Sequence, residues 1–251
     1  MNPHSANLLH TMTMDHTELL FERMDAWRHF PAYQLERRAD ILFSLYLSEV
    51  LQEKLGFPVQ QDLLPEFPVR IGSIDQESNS DQSYKIDYLA LSEDGTRAVL
   101  VELKTDTSSR RVSQNNYLNA AKQAGLTKLL EGVLMLFKAT KSKHKYFSYL
   151  LQLESMGLLS VPLKLKQLML RPSLHGVNDA TEAIEITAHA QSTVVVFVQP
   201  TGSRGNIITF DEFSNVVYRY TDPLSRRFAA SLERWANTPA TQPVLRAFSR
   251  A

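Results

Sequence analysis

The chain has 251 residues, 43% of them hydrophobic and 22% charged, and its 27 basic and 27 acidic side chains leave no net charge. That length and balance suit an ordinary soluble globular protein with a full core, organised as one α/β domain with helical additions. The absence of cysteine excludes disulfides and thiolate zinc sites and is compatible with a reducing cytoplasm, and no apolar run reaches the length of a membrane span.

In chain order, residues 1–14 read as a mobile tail. They lack a basic segment followed by an apolar one, so no secretory signal is expected and the expected location is the cytoplasm. A single domain is expected over residues 15–237, followed by a loosely ordered C-terminal tail over 238–251. Residues 17–29 predict a short helix that ends before Pro31. Residues 33–55 predict one long helix, with Leu35, Ala39, Leu42, Tyr46 and Val50 at helical spacing and Gly56 and Pro58 as its stop. Residues 60–82, with Pro65, Pro68 and Gly72 and a polar run from Asp75 to Gln82, read as loop.

Residues 83–106 (SYKIDYLALSEDGTRAVLVELKTD) are two β-rich apolar runs flanking Asp94-Gly95, the strongest short-range signal for a hairpin. With Asp94 and Gly95 as a two-residue turn, Asp87 falls opposite Glu102. Period-2 alternation then brings Lys104 to the same face. Val99, Leu100, Val101 and Leu103 imply a sheet covered on both sides. Two opposed carboxylates in such strands are costly unless a cation joins them, and hard divalent ions take oxygen ligands of this kind. A solvent-facing hairpin with Lys104 as a cross-strand ion-pair partner fits the same residues.

Further on, residues 106–109 offer N-cap chemistry for a helix over 110–124, which Gly125 ends. Helices over 126–139 and 145–158 follow, joined by the basic link Lys141-Ser142-Lys143-His144-Lys145. Residues 183–187 and 193–199 predict strands, the second a β-branched run suited to a central position. Residues 207–210 predict a short strand. Asp222-Pro223 opens a last helix with Leu224, Phe228, Leu232 and Trp235 inward and Arg226, Arg227 and Arg234 outward. Charge is uneven: residues 49–94 hold ten acids against three bases, and residues 104–145 hold nine bases against two acids. The basic half could meet phosphates. The histidines lack zinc spacing, and there is no phosphate-binding loop, nucleophile elbow or dinucleotide fingerprint.

Asp87 in an apolar context, a short hairpin and then Glu102-Leu103-Lys104 resembles the PD-(D/E)XK phosphodiesterase superfamily, with Ile86 where the name-giving proline would stand. The resemblance covers residues 34–125 and the strand near 193–199, with the strands near 183–210 completing the domain. It implies a restriction-endonuclease-like fold, a mixed sheet flanked by helices. It also implies metal-dependent hydrolysis of nucleic-acid phosphodiesters, DNA rather than RNA. Asp87, Glu102 and the Leu103 carbonyl would hold Mg²⁺ or Mn²⁺, and Lys104 would orient or help deprotonate the attacking water, its pKa open to lowering by desolvation. A further carboxylate is expected on the first core helix, Glu36 ahead of Glu49. Gln114, followed by Tyr117 at one residue less than the family's spacing, is a candidate catalytic residue for contacting substrate or metal-bound water. Arg110, Arg111, Lys141, Lys143 and Lys145 are candidate phosphate contacts. No membrane partner is expected, and a homodimer is compatible with the family. The alternative is a non-catalytic nucleic-acid-binding or protein-interaction member of the same fold.

Overall fold

The structure is a computed structural model and describes residues 15–75, 77–106, 112–203 and 205–238. The two expected tails, apart from Thr238, and the phosphate candidates Arg110 and Arg111 lie outside the described residues.

One five-stranded mixed sheet runs through the molecule in the order β1 (Leu64–Arg70), β2 (Ser83–Leu91), β3 (Arg97–Leu103), β6 (Ser192–Gln199) and β7 (Ile207–Thr209). The first three strands pair antiparallel, and β3–β6 and β6–β7 pair parallel. The pairing of β3 with β6 puts two valine-rich strands at the centre, as the continuous apolar runs require. A separate two-stranded ladder joins β4 (Leu159–Ser160) to β5 (Glu185–Ile186).

Each face of the sheet carries its own core. On one face α1 (His16–Trp27), α2 (Glu36–Ser44), α3 (Leu47–Leu55), α9 (Phe210–Val217) and α10 (Pro223–Asn237) bury Phe21, Phe43, Phe213, Phe228 and Trp235 against Val99, Val101 and Val196. On the other, α5 (Val112–Ala139), α6 (Lys143–Ser155), α7 (Leu163–Met169) and α8 (Val177–Thr181) bury Leu129, Leu130, Val133 and Leu153 against Leu89, Leu100 and Phe67. A single turn, α4 (Ile71–Ile74), follows β1 and packs on α5. No helix among the described residues is long and apolar enough to cross a membrane.

Several expected elements are corrected. The segment over 60–82 is not all loop. Leu64–Arg70 forms β1 despite Pro65 and Pro68, because β1 is the sheet's edge strand, the position in a sheet where proline is tolerated. The long helix over 33–55 breaks between Ser44 and Leu47, where Tyr46 takes φ −122° and ψ −6°. Leu45 consequently turns outward, 55% exposed, while Tyr46 is buried with its hydroxyl 2.8 Å from the Ser225 hydroxyl. The break at Gly125 is present as a residue at φ 75° and ψ 161° inside α5. Arg227 does not point freely outward. With Arg234, Ser231 and the Trp235 indole it donates to the buried Asp25 carboxylate, tying α1 to α10.

Candidate metal and phosphoryl site

The hairpin has the expected register but a different turn. Leu91 pairs with Ala98 and Tyr88 with Val101, which puts Asp87 and Glu102 next in line. The loop is four residues long. Gly95 N–H donates to the Ser92 carbonyl (2.9 Å), Ser92 N–H donates to the Arg97 carbonyl (3.0 Å), and Gly95 takes φ 69°. Asp94 is a turn residue whose carboxylate accepts from the Ser92 hydroxyl and from Thr96. Loops of two and of four residues preserve the same facing pairs, so the acids stay aligned.

Beyond Tyr88 and Val101 the ladder gives way to side chains. The Asp87 carboxylate accepts the Leu103 N–H at 2.6 Å, and Lys104 N–H donates across to the Val198 carbonyl at 2.8 Å. Lys104 Nζ stands 2.8 Å from Glu102 Oε1, 2.9 Å from the Leu103 carbonyl and 3.5 Å from Glu36 Oε2. Glu36 enters from the first turn of α2, a favourable end of a helix for an anion. From α5, Gln114 and Tyr117 are three residues apart and so share a helix face. Gln114 Nε2 donates to Glu102 Oε1 at 2.7 Å, and the Tyr117 hydroxyl points to Glu102 Oε2 at 3.4 Å. Tyr117 is steadied by stacking on Tyr84, with ring centroids 4.4 Å apart. Glu102 and Lys104 are 2% and 4% exposed, so the pair is desolvated.

No family model, curated protein or solved structure matches the chain.

The groups meet in a cleft of about 190 Å³ that also takes in Arg37, Asp40, Glu66 and Lys85. Burial, and then the neighbouring Glu102, push the Asp87 carboxyl up to about 7, against the pull of the Leu103 N–H and Lys104. Burial raises Glu102 as well, with Lys104 opposing. Lys104 departs from expectation. Burial acts to lower it, but Glu102, Glu36 and Asp87 together outweigh burial and raise it. It is therefore an ammonium at neutral pH, fitted to neutralise and to orient.

Of the other expected residues, Glu36 reaches the cleft. Glu49 lies elsewhere, accepting from the Tyr220 hydroxyl at 2.7 Å and from Arg219 at 3.2 Å. Lys143 is not free for phosphate, because it closes the end of α5 on the Phe137 and Lys138 carbonyls and bonds Asn178 Oδ1 at 2.8 Å. Lys141 and Lys145 are exposed. Nearby Tyr146 and Tyr149 are partly buried and touch the cleft's rim, with Lys85 Nζ 5.5 Å from the Tyr146 ring and the Tyr149 hydroxyl donating to the Glu66 carbonyl. Glu66, Lys85, Arg37 and Asp40 are the charged cleft residues that the sequence did not point to, and Pro65 and Tyr88 complete its lining. Glu66 is carried on the unrecognised edge strand and held at φ 52°, rare for a residue with a side chain.

The oxygen set fits a hard divalent cation in part. Glu102, the Leu103 carbonyl and Glu36 already surround one cation, the Lys104 ammonium, and Asp87 is short of positive charge. Among the described residues, however, no three Asp, Glu or His side chains converge as a metal-binding group.

Proposed function

We propose that the chain is a metal-dependent phosphodiesterase of the PD-(D/E)XK kind, with a restriction-endonuclease-like core, hydrolysing nucleic acid and preferentially DNA. The observation that carries this reading is the placement of Asp87, Glu102, the Leu103 carbonyl and Lys104 in one partly enclosed cleft, with Glu36 beside them. Asp87, Glu102 and the Leu103 carbonyl would hold Mg²⁺ or Mn²⁺. Such an ion lowers the pKa of water and stabilises charge on phosphate oxygens. Lys104, fixed by Glu102 and the carbonyl, orients the attacking water and offsets phosphate charge. Gln114 and Tyr117 hold Glu102 in one rotamer, and Glu36 faces the ammonium from the far wall. Lys85 and Arg37 supply positive charge at the rim for a backbone that carries one charge per phosphate.

A second reading, a nucleic-acid-binding or protein-interaction member without turnover, is favoured by one observation. Lys104 already neutralises Glu102, so the cluster is partly satisfied without metal. The test that separates them is cleavage of end-labelled single- and double-stranded DNA with Mg²⁺, Mn²⁺ or EDTA by the wild type, Asp87→Asn and Lys104→Ala. Metal-dependent cutting lost in both variants supports the enzyme. Cutting that survives both, or none with any metal, counts against it.

A further inference from the structure

Tyr84 stands second in β2, and its ring lies parallel to that of Tyr117 on α5, with 4.4 Å between centroids and 6° between planes. Tyr117 in turn points its hydroxyl to Glu102 Oε2. Tyr84 is therefore one ring removed from the carboxylate at the centre of the cleft. It is nevertheless 40% exposed, and among the described residues Tyr117 is the one ring it meets. A ring with one face on a parallel neighbour keeps its accessible area at the other face and at its rim. Steadying Tyr117 uses only the covered face.

An exposed aromatic face beside a cleft fitted for phosphate can receive a base. Such stacking is indifferent to base identity, because every base has a π-face. Within a duplex both faces of a base are covered by its neighbours, so the base that stacks here belongs to an unpaired strand. The adjoining charges suit a strand in part. Lys85, next in the chain, is exposed and lines the cleft, where its ammonium can meet a backbone phosphate. Glu36, Asp40 and Glu66 line the same cleft and oppose a phosphate. An uncharged contact that holds the strand without relying on its phosphates is therefore of use at this place.

We propose that Tyr84 is a stacking platform for an unpaired base of the strand that enters the cleft, so that base, Tyr84 and Tyr117 form one stack ending at Glu102. This makes single-stranded nucleic acid the preferred form of substrate. The strand rests on the nuclease reading, and the stack stands on the geometry of Tyr84.

The test is binding of a short single-stranded oligonucleotide containing 2-aminopurine to the full chain in EDTA at low salt. The chain carries Asp87→Asn, which removes one of the acids that repel the strand. Stacking on a ring should quench the 2-aminopurine fluorescence on binding. Tyr84→Phe, which keeps the ring, should bind and quench alike, and Tyr84→Leu should weaken the affinity by about tenfold and abolish the quenching. Should Tyr84→Leu fail to fold, Tyr84→Thr, suited to a strand, takes its place. A strand with abasic sugars in place of the bases should bind the chains with and without the ring equally. A duplex with 2-aminopurine in its interior should show no further quenching and no dependence on Tyr84. No quenching with Tyr84 present, or the same affinity after its ring is removed, overturns the proposal. So does an equal loss with the abasic strand, which would mean that Tyr84 acts only by supporting Tyr117. Metal is absent throughout, so these results are independent of whether the wild type cuts DNA.

Discussion

At the residue scale the cleft holds a buried set of charges that is complete in sign but unbalanced in amount. Asp87 is the member left short of positive charge. Asp87→Asn keeps an acceptor for the Leu103 N–H and removes the repulsion from Glu102, so it should raise the melting temperature of the metal-free protein, and under the proposed function it would abolish metal-dependent cleavage. The pH dependence follows from the same residue. An Asp with a folded value near 7 against 3.8 as its ordinary value binds its proton more tightly when folded. The penalty is absent below about pH 4, grows as pH rises and is complete above about 7. In EDTA, wild type should therefore lose stability on the order of 2 kcal/mol relative to Asp87→Asn between pH 5 and 8. Parallel stability–pH curves for the two proteins would contradict this. Lys104→Ala acts the other way. It strands a buried carboxylate that now has an ammonium partner, which typically costs about 3–5 kcal/mol, visible in chemical denaturation. That Asp87, Glu102 and Lys104 lie together could be read from the sequence, because a strand alternates with period 2 and loops of two and of four residues with one centre give the same facing pairs. The burial of Arg28 over the Trp235 ring, with Nη2 on the Thr105 carbonyl, could not, because both contacts are remote in sequence.

At the element scale, the hairpin, the valine-rich strand β6 and the last helix were legible, since each has strong local chemistry. Asp222 caps α10 through Ser225, and Pro223 occupies its first turn. Elements whose local signals conflict with their tertiary setting were not legible. Pro65 and Pro68 speak against a strand except at an edge, and being at an edge is a property of the sheet. The apolar spacing over 33–55 continues through the break at Tyr46, which is set by packing on α10. Helix α9 is not among the predicted elements, although Thr209 and Glu212 form a complete capping box at its start. Thr209→Ala should cost about 1 kcal/mol. Gly132 tests how α5 is seated on α4. A β-carbon there would lie near Ser73 Oγ and 3.1 Å from Arg70 Cβ. Gly132→Ala should thus destabilise by about 1–3 kcal/mol through overpacking, although alanine is the better helix former by about 1 kcal/mol. A stabilised Gly132→Ala protein would mean that α5 is not held against α4 as described.

At the scale of the whole molecule, the sheet is shared by two cores and the cleft draws on both. Glu36 comes from a helix of one face, while Gln114 and Tyr117 come from a helix of the other. Folding should therefore be a single cooperative event. Both tryptophans, Trp27 and Trp235, lie with the α1–α10 side, whereas far-ultraviolet circular dichroism also reports the helices of the opposite face. The two signals should share one urea midpoint. Leu129→Ala, on the far core, should shift both equally by about 2–5 kcal/mol. Separate midpoints would show that the faces fold independently.

The most direct test of the central claim is the melting temperature of wild type and Asp87→Asn titrated with Mn²⁺ from an EDTA-treated start. An ion that binds only the folded protein raises its melting temperature with concentration. Wild type should show a saturable rise and Asp87→Asn little or none. An equal response in both, or none in wild type, would contradict a metal site at Asp87 and Glu102 and leave Lys104 as the cluster's own counter-ion.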